Sequence, residues 1–232
     1  MIGRVNSFQS LGTVDGPGIR FVVFFQGCNL RCSCCHNPDT WNLTDGKPFT
    51  PEEIVKKAER YREYFGEVGG ITLSGGEPLV QSEFASEIFS LCKKKAINTC
   101  LDTSGSIINQ SVDKLLDLTD YVLLDVKYTN DENYQKYVGC EFKKVLQFLE
   151  ILEKKRIKTT IRQVIIPTIN DTKENVLALK KIAKKYSCVQ KIELLPFKKI
   201  CQSKYDNLGI AFPFREINEP TESTMNTLNS YL

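Results

Sequence analysis

A single histidine, His36, stands in the whole chain of 232 residues, beside one tryptophan and two methionines. One histidine excludes any catalytic pair or metal set built on two, and the serine, aspartate and lysine residues fall into no hydrolytic triad pattern. Long apolar runs are missing as well. No stretch approaches the roughly 20 consecutive apolar residues of a membrane span, and the start, Met1-Ile2-Gly3-Arg4-Val5-Asn6, has no apolar core of a secretion signal. The expectation is a cytoplasmic monomer with no membrane contact. A strong charge of one sign is absent too, since 31 Lys and Arg against 28 Asp and Glu leave a formal net charge of +3. The basic runs Lys93 to Lys95 and Lys180 to Lys185 carry no interleaved aromatics and read as solvated helix faces, so nothing points to nucleic acid. No repeat, low-complexity tract or linker interrupts the chain. Its length suits one sizeable core, read as a single domain over 1–232 with a short C-terminal extension from about 197.

What the chain does have is nine cysteines. In a reducing compartment these read as thiols and metal ligands before they read as disulfides. Cys28, Cys32 and Cys35 form a C-x3-C-x2-C spacing directly after the apolar run Ile19 to Phe25, which places three thiolates on one loop at the end of a buried strand. A structural zinc site is normally closed by four ligands, and an iron-sulfur cluster usually takes four cysteines, so three leave one coordination position open. Cys34 is read as a non-ligand, because adjacent residues on a tight loop seldom point at the same metal. Cys92, Cys100, Cys140, Cys188 and Cys201 are scattered singly, as small buried hydrophobes are. A zinc-stabilised binding module or a simple electron carrier is the non-enzymatic alternative, and each requires a fourth protein ligand.

Short apolar runs recur at Ile19 to Phe25, Ile71 to Leu73, Thr99 to Leu101, Tyr121 to Val126, Thr159 to Ile166 and Ile192 to Leu195, apolar on both faces as buried parallel strands are. Helical patterns lie between them. Thr50 with Glu53 three residues on reads as a capping box, and Ser82 to Lys95, Ser111 to Leu118, Lys143 to Lys155 and Thr172 to Tyr186 follow. Six such alternations predict one α/β domain with all strands parallel. Lys204 to Phe214 shows little periodicity, and Glu222 to Tyr231 reads as a terminal helix. The unusual residues then collect at strand ends: the cysteines, Gly75-Gly76-Glu77-Pro78, Asp102-Thr103-Ser104-Gly105 and Asp125-Val126-Lys127, with Arg162 inside the fifth strand. In parallel barrels that rim gathers the active site. Gly75-Gly76 lets backbone approach a ligand, and Glu77 offers an acceptor to an ammonium group. Asp125 and Lys127, two apart, face the same way at the end of an apolar strand; an internal salt bridge is the structural alternative to a ligand role.

Three stretches together, Thr13-Val14-Asp15-Gly16-Pro17-Gly18-Ile19-Arg20, the cysteine loop through His36-Asn37-Pro38-Asp39-Thr40-Trp41, and Ser74-Gly75-Gly76-Glu77-Pro78, carry a resemblance along nearly the whole chain. The sequence resembles the radical S-adenosylmethionine (SAM) superfamily, and within it the activating enzymes of glycyl-radical enzymes. That resemblance implies an incomplete (β/α)6 barrel of parallel strands, a [4Fe-4S] cluster on Cys28, Cys32 and Cys35, and SAM on the fourth iron. It implies that Gly75, Gly76 and Glu77 meet the SAM amino group, and that Cys34, Cys35 and His36 flank the nucleoside. Asp125, Val126 and Lys127, with Arg162, are expected against SAM. Asp102, Thr103, Leu123 and Asp125 are expected around a monovalent cation (Na or K), and Asp15 and Gly16 at the protein substrate. Where these enzymes commonly carry histidine after the sixth strand, this chain has Lys198, expected as a hydrogen-bond donor to SAM. The implied protein substrate is pyruvate formate-lyase, with flavodoxin or ferredoxin as electron donor. Activases of other glycyl-radical enzymes, the alternative, often carry a ferredoxin-like insertion after the cysteines. Here Trp41 runs by a short link into the Pro51 helix. One departure is local: Cys34 stands where the superfamily usually has an aromatic residue.

Overall fold

The computed structural model describes residues 1–232. Strands β1 (Gly3–Gly12) and β2 (Arg20–Phe25) pair antiparallel, and β3 (Lys47–Phe49) pairs antiparallel with the start of β1. Helix α1 (Pro51–Glu59) begins where the capping box predicts: the Thr50 hydroxyl accepts from the Glu53 amide at 3.3 Å, and the Glu53 carboxylate accepts from the Thr50 amide at 2.8 Å. Then strands and helices alternate as β4 (Gly70–Gly75), α2 (Ser82–Lys94), β5 (Asn98–Thr103), α3 (Gln110–Leu116) and β6 (Tyr121–Asp125). After α4 (Asp131–Tyr137) and α5 (Phe142–Lys155) come β7 (Lys158–Ile165), α6 (Lys173–Ala183) and β8 (Val189–Pro196), and the chain ends with α7 (Gln202–Leu208) and α8 (Glu222–Asn229).

All eight strands form one sheet in the order β3-β1-β2-β4-β5-β6-β7-β8. The six apolar runs are its parallel part, β2 and β4 to β8, and the end strands β3 and β8 do not pair with each other, so the curved sheet stays open. The expectation that every strand is parallel is corrected by β1 and β3. Their sequences explain why they escape notice: β1 alternates polar residues such as Arg4, Asn6 and Gln9 with few apolar ones, as an exposed strand near a sheet edge does. Helix α2 turns Phe84, Ala85, Ile88, Phe89 and Cys92 onto the sheet, and α5 turns Val145, Phe148, Leu149 and Leu152. Fully burying each large apolar side chain contributes about 1.5–3 kcal/mol.

The segment after β8, without periodicity in sequence, nevertheless folds into α7, closed by Gly209 in the left-handed region at φ 66°. What orders it is an aromatic cluster: Phe197, Tyr205, Phe212 and Phe214 are buried and their rings meet at centroid distances of 4.8–6.1 Å.

At the opposite end of the sheet, Arg20 is fully buried. Its guanidinium donates to the carbonyls of Pro17, Val68, Ile71 and Asn98, to the Asn98 side chain at 2.9 Å and to the Thr72 hydroxyl at 3.0 Å. The Thr72 hydroxyl in turn donates to the Asp15 carbonyl at 2.7 Å. One cation thus ties the loop before β2 to the starts of β4 and β5. Removing it leaves several buried acceptors without donors, each worth about 1 kcal/mol or more, so Arg20→Ala is expected to cost about 3–5 kcal/mol of stability. Thermal and denaturant unfolding of the apoprotein check this; a loss under about 1 kcal/mol would show that the acceptors find other partners.

Candidate active site

Strand β2 stops at Phe25 and Gly27 turns the chain at φ +96° into a loop that runs to Trp41. The loop is pinched at its neck, where the Gly27 amide donates to the Thr40 carbonyl at 2.7 Å and the Cys28 amide to the Trp41 carbonyl at 3.3 Å. Inside, the Cys35 amide donates to the Cys32 carbonyl, and the Ser33 amide reaches the Tyr137 carbonyl at 2.8 Å, anchoring the loop to α4. Cys28, Cys32, Cys34 and Cys35 all line one cavity of about 280 Å³. The backbone N–H groups of Leu30 and Asn37 donate to the sulfurs of Cys28 and Cys35, each with nitrogen 3.4 Å from sulfur. Burial pushes the thiols up, Cys28 and Cys34 to about 11, so without a metal they stay protonated.

Next to this loop lies the end of β4. Gly75 sits at φ +117°, and a Cβ there would meet the Phe25 backbone nitrogen at 2.2 Å; one on Gly76 would meet the Gly27 carbonyl oxygen at 2.2 Å. The glycines are therefore required by the backbone of β2 itself, with the Gly76 amide donating to the Phe25 carbonyl and the Glu77 amide to the Gly27 carbonyl. Glu77 differs from expectation. Its buried carboxylate is already filled by the Thr103 hydroxyl at 2.6 Å, the Ser104 amide and hydroxyl, and the Leu79 amide at 3.1 Å. It staples the end of β5 to the loop after β4, and takes no ammonium in this arrangement.

Across the cavity, β5, β6 and β7 carry a ladder of charges. The Arg162 guanidinium bridges Asp102 and Asp125, at 3.2 Å from the latter, and the Lys127 ammonium holds the other Asp125 oxygen at 3.0 Å. Ser74 donates to Asp102 at 2.7 Å. Burial raises Asp102 to about 6 despite Arg162. Burial also acts on Asp125, but Lys127 and Arg162 outweigh it and hold that carboxyl below its ordinary range. Lys127 and Arg162 are both held above theirs, because burial's opposition is overcome, chiefly by Asp125 at Lys127 and by Asp102 and Asp125 at Arg162. Two anions and two cations are balanced here without a metal. Of the expected cation ligands, Asp102 and Asp125 accept from Arg162, and the Thr103 hydroxyl donates to Glu77.

Most predicted site residues thus come together on one wall or another: Cys28, Cys32, Cys34, Cys35, His36, Gly75, Gly76, Glu77, Asp102, Thr103, Asp125, Lys127 and Arg162 all line the cavity. Four do not. Val126 is buried, its carbonyl accepting from the Gln163 side chain. Leu123 and Gly16 line a second cavity of about 710 Å³ that shares Asp15, Arg162 and Leu195 with the first. Lys198 turns to the surface, where its ammonium pairs with Glu219 at 2.9 Å, while its carbonyl meets the His36 ring nitrogen Nε2 at 2.9 Å. A donor contact from the Lys198 side chain into the site is therefore corrected to a backbone contact with His36. Asp15 lies inside the open sheet, with one buried carboxylate oxygen lacking any partner. Lys204 and Tyr205, in an aperiodic segment, carry no sequence signal, and Ser74 belongs to the Gly75-Gly76 stretch without a role of its own being legible.

The residues fit an iron-sulfur cluster: three soft thiol donors on one loop line one cavity, and two of them have a backbone N–H aimed at the sulfur.

Similarity to known proteins agrees. The family model of the radical SAM superfamily matches residues 22–179. The pyruvate formate-lyase-activating enzyme of Clostridium pasteurianum is 44% identical over 233 residues, covering 100% of this chain and 98% of the relative. The pyruvate formate-lyase 1-activating enzyme of Escherichia coli (strain K12) is 41% identical over 235 residues, covering 100% and 96%. A radical SAM methyltransferase from Sphaerobacter thermophilus superimposes over 99% of this chain and 74% of its own with a TM-score of 0.66 at 16% identity, a likeness of fold alone. With the three-thiol loop at the open end of a parallel sheet and this match from end to end, the chain belongs to the radical SAM superfamily and, within it, to the family of the pyruvate formate-lyase-activating enzymes.

Proposed function

We propose that this chain activates pyruvate formate-lyase by forming a glycyl radical on it. The observation that carries the reading is the face-to-face arrangement of an unpaired three-thiol wall and a charge ladder in one cavity, in a chain that matches named activating enzymes along its length. Cys28, Cys32 and Cys35 would hold a [4Fe-4S] cluster. When bound, that group supplies the electron that cleaves SAM to methionine and a 5'-deoxyadenosyl radical, which takes hydrogen from the substrate glycine and leaves as 5'-deoxyadenosine.

The chain's own residues then bind, orient and exclude. Lys127 spends one of its three N–H groups on Asp125, so it retains donors for the SAM carboxylate. Arg162, held by two carboxylates, is a fixed positive wall that cannot swing toward the thiols. The backbone of Gly75-Gly76 is assigned to the amino group of SAM, with Glu77 as the staple that keeps this edge in place. His36, fixed by the Lys198 carbonyl, and Cys34 are assigned to the nucleoside side. Because Arg162 and Lys127 already neutralise Asp102 and Asp125, charge balance does not require a monovalent cation here. The electron comes from a flavodoxin or ferredoxin.

The second cavity supports a route for the protein substrate. It is lined by the loop before β2 and by β6, β7 and β8, and meets the first cavity at Asp15, Arg162 and Leu195. An extended glycine-bearing segment needs a partner for each buried N–H it brings, and the free Asp15 oxygen offers one.

Two outcomes test this reading. Anaerobically reconstituted Cys28→Ala, Cys32→Ala and Cys35→Ala variants are expected to lose cluster iron and SAM cleavage by at least about 100-fold, whereas Cys34→Ala keeps both. Equal iron loss in Cys34→Ala and Cys32→Ala would reverse the ligand assignment. Asp15→Ala is expected to lower glycyl-radical formation on pyruvate formate-lyase by about 10-fold, the value of one buried hydrogen bond, while leaving uncoupled SAM cleavage within about two-fold. Electron paramagnetic resonance of the glycyl radical and chromatography of 5'-deoxyadenosine measure the two, and equal losses would count against the substrate role.

A further inference from the structure

The loop that carries the three thiols is gripped from far away in sequence. Lys204, in α7, donates from one ammonium to the Asn37 side-chain oxygen at 2.8 Å and to Asp39 at 2.9 Å. The neighbouring Tyr205, its ring buried, donates its hydroxyl to the Cys35 carbonyl at 3.2 Å. The Tyr205 ring also meets Trp41 edge-on at 6.0 Å, at the end of the same loop. Helix α7 is itself anchored through Phe212 and Phe197, and the chain before it through Glu219, which holds the Lys199 amide and the Lys198 ammonium.

The grip has a consequence at the sulfur. Asn37, fixed by Lys204, is the residue whose amide points at the Cys35 thiol. An N–H group aimed at a ligating sulfur withdraws electron density and raises the potential of an iron-sulfur cluster. That backbone amide thus belongs to a residue whose side chain is held by a lysine more than 160 residues away and whose carbonyl accepts from the Thr40 amide and hydroxyl. The pair is poorly placed to stabilise the fold, since the Lys204 and Asp39 side chains are 38% and 33% exposed and solvent screens them. Its effect is local.

We propose that α7 acts as a clamp on the cluster loop, with Lys204 as a positioning residue that sets the Asn37 N–H to Cys35 contact and slows escape of the bound cluster. The proposal rests on the reading that Cys35 is a cluster ligand, and adds to it a group outside the cavity.

The test uses the full chain reconstituted with iron and sulfide, without any protein substrate. Lys204→Met, Lys204→Arg and Tyr205→Phe are compared with the unaltered chain in three measurements. These are the rate of iron release to a chelator, the midpoint potential from a redox titration followed by electron paramagnetic resonance, and the unfolding temperature of the apoprotein. Lys204→Met is expected to release iron about 10-fold faster and to titrate at a more negative potential, at an unchanged unfolding temperature; Lys204→Arg is expected to restore both. Tyr205→Phe, which keeps the ring and removes only the hydroxyl, is expected to speed release with a smaller change in potential. Release and potential unchanged in Lys204→Met would overturn the clamp. So would an effect that tracks a fall in unfolding temperature, or one that Lys204→Arg does not rescue. If the unaltered chain takes up no cluster, or Cys35→Ala holds iron as well as it does, the underlying ligand reading fails instead, and the clamp with it.

Discussion

The site depends on two strand ends that touch. The backbone of Gly75-Gly76 lies so close to the end of β2 that no side chain fits at either position, and the two amides at 76 and 77 continue the β2–β4 ladder past the last paired residues. That contact fixes the neck of the cysteine loop on one side. On the other side it aims Glu77 at Thr103 and Ser104, which carries the same register on to β5. A buried carboxylate with four hydrogen-bond donors is a rigid joint, because each bond it lost would leave a polar group unsolvated. Three loops are thereby held as one rim.

From that rim the charge ladder continues across β5, β6 and β7. Adjacent parallel strands bring Asp125 beside Arg162 in direct register, and Asp102 one strand further along. Charges of this kind at the end of an apolar sheet are costly singly, and are kept only because each has an opposite partner within hydrogen-bond reach. The result is a polar wall whose shape is set before any ligand arrives. Such preorganisation is what a cofactor enzyme contributes, since the demanding chemistry belongs to the cofactor.

The segment after β8 closes the structure from the other direction. Its helix has few residues and little propensity of its own, so the aromatic cluster beneath it supplies the reason for its order. Through Lys198, Lys204 and Tyr205 it reaches three places on the cysteine loop: the His36 ring, the Asn37–Asp39 pair and the Cys35 carbonyl. A loop rich in short polar residues and cysteines has little apolar surface with which to fix itself, and an external grip answers that need.

Sequence alone determined the parts with a local physical signature. Six apolar runs gave the parallel strands, Thr50 and Glu53 gave the start of α1, and the spacing of Cys28, Cys32 and Cys35 gave three thiols on one loop that line one cavity. Residues at strand ends could be assigned to one rim because parallel alternation puts all such ends on the same side. The partners of those residues were not legible, because pairing is decided by three-dimensional distance. Only the tertiary structure showed that Glu77 is consumed by Thr103 and Ser104, that Arg162 stands between two aspartates, and that Lys198 turns outward to Glu219. It alone revealed β1, whose polar residues give no strand signal, and α7, whose order comes from a cluster of rings without helical spacing. Hydrogen bonds and ring contacts between separate elements leave no periodicity in the chain, and so the fold had to decide them.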